Sequence, residues 1–231
     1  MQIEIYADVV CPWCYIGKRR FETALVAHPA AADVTVTWRP FQLDPEAPGV
    51  PVPHLQAYAA KLGDVDKLAT SLRDLQAAAE GVHLDLRLDQ ALRVNTFDAH
   101  RVVALALAAG GNEMQDRVVE RLMSGYFTEG RDLSDHAVLA DLANDAGLTE
   151  IDIKAYLASD EGVAQLREQL GEGRALGLDS VPTYVFERRW AVSGAQSPEV
   201  MGQVLTTIEA AMLGGGGGCC GGGGGGCACS A

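Results

Sequence analysis

From Tyr15 to Gly218 the chain carries no cysteine, so no disulfide braces that stretch and its stability has to come from apolar burial. Cationic residues are scarce: 18 lysines and arginines face 31 aspartates and glutamates, a formal net charge of −13. Such acidity disfavours nucleic acid and anionic membranes, both of which attract basic patches. No apolar run approaches the ~20 residues that a membrane helix needs. No H-E-x-x-H, P-loop or G-x-S-x-G segment occurs, which leaves protease, NTPase and hydrolase chemistry without support. Met1-Gln2-Ile3-Glu4 brings no basic segment and passes directly into alternating apolar residues, unlike a secretory leader, so the expected compartment is the cytoplasm. Thiols stay mostly reduced there, and a cysteine pair reads as catalytic, sensing or metal-binding rather than structural.

What the chain does have is Cys11-Pro12-Trp13-Cys14. The motif follows the alternating Ile3-Glu4-Ile5-Tyr6-Ala7, a strand pattern, and opens the amphipathic run Tyr15 to Leu25. Two thiols in the first turn of a helix close a disulfide with little loop entropy to fix. Unpaired N–H groups and the positive end of the helix dipole favour a thiolate at the first sulfur, which is the nucleophilic form. Proline suits the first helical position, where its missing N–H had no partner. Cys11 is therefore read as the nucleophile and Cys14 as the resolving thiol. Pro12 and Trp13 set the redox poise and offer an apolar face to substrate.

The alternative for a lone C-x-x-C is half of a zinc site, which wants four ligands. The remaining cysteines, Cys219, Cys220, Cys227 and Cys229, all lie in the last stretch of chain, and His28, His54, His83 and His136 show no ligand spacing. No metal site is expected in the body of the protein. A second feature favours redox use. Ser180-Val181-Pro182 precedes the β-branched and aromatic run Thr183-Tyr184-Val185-Phe186. A cis X-Pro bond is tolerated before a strand, and one here would leave the Val181 backbone free to pair with substrate; an ordinary strand-entry proline is the other reading.

Together these segments resemble DsbA-type thioredoxin-fold oxidoreductases. Trp38 to Leu43, Asn95 to Arg101 and Ser193 to Ser197 are similar to segments of the FrnE-like branch. The resemblance covers about residues 1–212 and implies an α/β thioredoxin-like fold carrying a large all-helical insertion after the second strand. The same superfamily holds 2-hydroxychromene-2-carboxylate isomerases and kappa-class glutathione transferases, which typically carry serine where this chain has Cys11. It also directs attention to His100, on an expected helix of the insertion, as a residue facing the cysteines and binding substrate or glutathione.

The periodicity predicts strands over 2–8 and 34–38, a helix over 12–27, and a proline-rich connection from Pro45 to Pro53. A helical pattern then runs from His54 to about Gly177. Leu68, Leu72, Leu75 and Ala79 form one stripe, with Gly81 placed as a cap, and Thr149 and Asp152 suit a capping box. Strands over 183–187 and 190–193, with a hairpin at Glu187-Arg188-Arg189, lead into a last helix from Ser197 to Leu213. The expected division is a thioredoxin-like domain of residues 1–45 and 160–213, a helical insertion of residues 46–159, and a disordered Gly/Cys-rich tail of residues 214–231.

The leading expectation is thiol–disulfide exchange with protein or small-molecule substrates, needing no cofactor, glutathione serving at most as co-substrate. The chain would act as a monomer or homodimer, without nucleic acid or membrane. A glutathione-dependent isomerase or transferase is the alternative. A third reading makes the tail cysteines a metal-binding or redox-sensing arm.

Overall fold

The computed structural model describes residues 1–47, 51–56, 59 and 63–214. The expected tail therefore lies outside the described residues from 215 onward, as does much of the segment that follows Pro45.

Strands β1 (Gln2–Ala7), β2 (Thr35–Pro40), β5 (Thr183–Phe186) and β6 (Trp190–Ser193) form one sheet in the order β2-β1-β5-β6. β1 and β2 are parallel, with Ile5 opposite Trp38; β5 runs antiparallel to β1, with Tyr184 opposite Ile5, and β6 antiparallel to β5. The parallel pair requires a crossover, which α1 (Pro12–Val26) supplies. β1 is buried from Ile3 to Ala7 without alternation, because both faces of the sheet are covered. On the Ile5 face, Phe21 of α1 meets the Tyr184 ring at 5.4 Å. On the Tyr6 face lies the helix that returns to the sheet: a Cβ placed on its Gly173 would stand 3.3 Å from the Tyr6 ring.

The sheet is interrupted after β2. The intervening segment contributes α2 (Val65–Glu80), α3 (Phe97–Phe127), α4 (His136–Asp145) and α5 (Ile153–Ala158), followed by α6 (Val163–Ala175), and the chain closes with α7 (Pro198–Gly214). A short antiparallel pair, β3 (Val52–Pro53) with β4 (Leu92–Arg93), lies within it. Helix α3 breaks at Gly111, whose φ of 69° and ψ of −166° are non-helical. Asp64, Asp135 and Asp152 cap α2, α4 and α5 by accepting backbone N–H bonds. Asp152 is thus the cap itself, and α5 starts at Ile153, later than the capping box at Thr149 implied.

Residues 81–96 depart further from the expected continuous helix. Gly81 ends α2, and His83 takes a positive φ of 59°. Leu84 and Leu86 are then buried while Asp85 and Arg87 are exposed. That period of two marks extended chain, and it was overlooked beside the stronger helical pattern on either side.

The helices dock on the sheet through paired backbone groups as well as apolar contact. The side chain of Gln115 in α3 accepts from the Trp38 N–H at 2.9 Å and donates to the Trp38 carbonyl at 2.9 Å, satisfying the outer edge of β2. Tyr15 of α1 stacks on Phe127, with centroids 6.0 Å apart. Arg101, 3 % exposed, reaches the carbonyls of Tyr156, Leu157, Ser159 and Glu161 and fixes α3 to the connection between α5 and α6. One apolar core runs from Ile5 and Cys14 through Tyr126 to Leu139. The helical insertion therefore shares its core with the sheet unit.

Candidate active site

The chain leaves β1 at Ala7, turns through Asp8, Val9 and Val10, and enters α1 at Pro12. Cys11 is the residue that caps this helix. Its φ of −91° and ψ of 112° are extended, and its sulfur accepts the Cys14 N–H at 3.3 Å. Pro12 occupies the first helical position. The carbonyl of Cys11 accepts from Cys14 and Tyr15, at 3.0 and 3.2 Å. The sulfur thus stands at the positive end of a 15-residue helix with a directed N–H, an arrangement that accommodates negative charge.

Both thiols are free and buried, Cys11 at 4 % and Cys14 at 1 % exposure. They differ in what they face. Cys11 lines a cavity of about 330 Å³, together with Trp13, Leu43, Leu72, Leu92 and Val181; Cys14 does not reach it. Burial pushes the Cys14 thiol well up, and the neighbouring sulfur of Cys11 adds to the effect. Trp13 is 37 % exposed and Leu43 47 %, so an apolar rim surrounds the mouth.

Val181-Pro182 closes the opposite side. The bond is cis, and the Val181 carbonyl lies 3.9 Å from Cys11 Sγ. The β1–β5 ladder begins only at Thr183, which leaves the Val181 backbone outside both of its neighbouring strands. Gly17 admits this loop to α1: a Cβ there would stand 2.7 Å from Tyr184 Oη and 3.0 Å from Pro182 Cγ. The sequence reading missed Gly17, although a glycine one turn after the motif, on an otherwise apolar helix face, was a visible sign of close approach.

His100 occupies a different place from the one expected. It is 3 % exposed and absent from the cavity wall. Its Nε2 lies 3.0 Å from the Phe41 carbonyl and 3.3 Å from Asp8 Oδ1, behind the cysteines. Asp8 was not singled out from sequence, yet it is a carboxylate at 1 % exposure on the turn that carries Cys11. Its Oδ2 accepts the Leu43 N–H at 2.8 Å, while Oδ1 has no hydrogen bond among the described residues, the His100 N–H being directed to Phe41. Asp8 acts on the Cys14 thiol in two opposed ways, both smaller than burial and Cys11: a backbone hydrogen bond lowers it and the carboxylate charge raises it. No group of three or more histidine, cysteine or carboxylate side chains able to hold a metal occurs among the described residues.

A four-stranded sheet of this order, with paired cysteines opening its first helix and a proline loop against them, defines a thioredoxin-like fold of the DsbA type. The chain belongs to the DSBA-like thioredoxin domain family, whose model matches residues 2–206. A probable DsbA oxidoreductase from Streptomyces coelicolor superposes with a TM-score of 0.84 at 34 % identity, covering 91 % of this chain and 90 % of that one. The uncharacterized protein YwbO of Bacillus subtilis (strain 168) is 25 % identical over 215 residues, 89 % of this chain and 96 % of the relative. The cytosolic disulfide reductase DsbM from Pseudomonas aeruginosa shares the fold at a TM-score of 0.64 and 17 % identity, over 91 % of this chain and all of its own.

Proposed function

We propose that this protein is a thiol–disulfide oxidoreductase of the cytoplasm, working through a Cys11–Cys14 couple. The observation that carries the reading is the asymmetry of the pair: Cys11 faces the cavity with an N–H on its sulfur, and Cys14 sits behind it, sealed from the cavity. Cys11, as thiolate, attacks one sulfur of a substrate disulfide. A mixed disulfide forms and the other substrate sulfur leaves as a thiolate. Cys14 then attacks Cys11 Sγ, closing the Cys11–Cys14 disulfide and releasing the second substrate thiolate. The same steps in reverse donate a disulfide.

The Val181 backbone, outside the ladder and beside Cys11 Sγ, is the contact for the bound substrate. Trp13 and Pro12 form the apolar approach. Cys14 needs a proton acceptor, because burial holds its thiol protonated; Asp8 is the buried carboxylate available for that role, with His100 Nε2 3.3 Å from its Oδ1. The exchange itself needs no cofactor, and glutathione enters only as one of its thiol substrates.

A Cys14→Ser variant tests the assignment. With a disulfide substrate it should accumulate a mixed disulfide on Cys11, located by peptide mass. A disulfide formed only at Cys219, Cys220, Cys227 or Cys229, or at no residue at all, would refute the division of roles, as would full turnover by Cys11→Ser.

A further inference from the structure

The cavity beside Cys11 says what kind of disulfide suits it. Its volume is about 330 Å³, at the lower end of the ~300–1,000 Å³ typical of small-molecule pockets. Its wall includes leucines of α2 and of the extended segment before α3, among them Leu72, Leu75 and Leu92, with Val10, Trp13 and Val181 on the side of the cysteine loop. Among the described residues, formal charge on the wall comes from Asp44 and Arg93, and these neutralise each other, Arg93 Nε donating to Asp44 Oδ2 at 2.6 Å. Burial also lowers the pKa of His54, another titratable residue of the wall, and so favours its neutral form. The nucleophilic sulfur, only 4 % exposed, opens into this space rather than onto an open face.

We propose that the cavity selects small disulfides that carry a bulky apolar group beside the sulfur, and discriminates against glutathione disulfide and against disulfides of folded proteins. The inference rests on the exchange reading above. A charged glutathione half would bring two carboxylates and an ammonium to a wall whose own charges are already paired, and desolvating them there is unfavourable. A disulfide held in a folded protein meets a sulfur that is only 4 % exposed, which hinders its approach. A benzyl-sized group, by contrast, buries its surface against the leucines while its sulfur meets Cys11. In one turnover the apolar disulfide R–S–S–R is reduced to two R–SH and the Cys11–Cys14 dithiol is oxidised, the two thiol protons passing to the departing thiolates.

The test uses the full chain with Cys219, Cys220, Cys227 and Cys229 changed to serine, reduced, in single turnover. Rates are taken with dibenzyl disulfide, 2-hydroxyethyl disulfide, glutathione disulfide and a disulfide-bonded folded protein, each divided by its rate with free dithiothreitol to remove intrinsic reactivity. The expected preference for dibenzyl disulfide is about 10- to 100-fold, the range that burying one sizeable apolar group supports. Leu72→Trp, which fills the wall, should narrow the ratio to 2-hydroxyethyl disulfide to within about threefold. In the unsubstituted cavity, 1,4-diphenylbutane, the carbon counterpart of dibenzyl disulfide, should compete with it. Equal normalised rates, a preference for glutathione disulfide or for the protein, or absence of competition would overturn the selectivity while leaving exchange intact. Failure to oxidise with any of the four would overturn the exchange reading and this one with it.

Discussion

The backbone N–H of Cys14 points at Cys11 Sγ across 3.3 Å, so the two cysteines are already linked through the first turn of α1 while both are free thiols. The link is made by the residue that must later attack that same sulfur. Little has to move for the disulfide to close: the helix start fixes the spacing, and Pro12 holds the backbone between them.

Asp8 is expected to act on the second step of exchange and not on the first. Asp8→Asn should slow release of the mixed disulfide by about 100-fold or more, the usual scale of general-base assistance, while the initial attack by Cys11 changes far less. Rapid-quench trapping of the mixed disulfide in the two proteins separates these steps. Equal lifetimes would remove Asp8 from the mechanism. His100→Asn should give a smaller change of the same kind.

The stability of the reduced protein should fall at alkaline pH. Burial raises the Cys14 thiol in the folded state, whereas the unfolded thiol ionises near its ordinary value of about 8.5. The unfolded chain therefore loses its proton first, and stability is fully present below about 8.5 and declines as pH rises beyond it. In the oxidised protein neither sulfur titrates, so its urea midpoint should lack the part of the decline that begins near 8.5, below the ~10 at which the buried tyrosines start to contribute. A Cys14→Ala variant should lack it also.

Gly17 should be intolerant of a side chain. Its Cβ would press on Tyr184 Oη at 2.7 Å, and overpacking of this kind costs about 1–3 kcal/mol. Gly17→Ala is expected to lower the urea midpoint and to slow exchange together, because the same contact seats the Pro182 loop. Adding Tyr184→Phe should recover part of the stability, since it removes the nearest atom. A double-mutant cycle measures the coupling.

Lys18 is 2 % exposed on α1 and faces Glu22, Asp116 and Glu120, the latter two at 3.2 Å. Removing one member of a buried ionic group leaves the others uncompensated, at a cost of about 3–5 kcal/mol. Lys18→Met should approach that loss, discounted for the partial exposure of the carboxylates, and Glu120→Gln in the same chain should restore some of it. Chemical unfolding of the single and double variants gives both values.

Much of this architecture was legible in the chain. The alternation of Ile3-Glu4-Ile5 and the C-P-W-C motif located β1, the loop and α1, because a period of two followed by a helix start is a local signal. Val181-Pro182 was placed beside a strand for the same reason. The two-residue strands β3 and β4 were not, since elements that short have no measurable period and form only where the chain brings them together. His100 was assigned to the cleft by resemblance, but its side is decided by tertiary packing against Phe41 and Asp8, which no sequence spacing reports. Asp8 is illegible for the converse reason: an aspartate before a helix reads as a surface turn residue, and it is tertiary contact with Leu43 and His100 that surrounds it.

The most direct test of the central claim is a redox equilibrium of the Cys11–Cys14 couple in glutathione buffers, on the full chain with its four tail cysteines changed to serine. Mass after acid quench follows the loss of two hydrogens, and tryptophan fluorescence follows Trp13 beside the pair. The account predicts one reversible two-electron transition with an intramolecular disulfide as its oxidised form. A chain that never forms that disulfide, yet holds glutathione stoichiometrically at Cys11, would contradict it and favour glutathione-dependent isomerase or transferase chemistry.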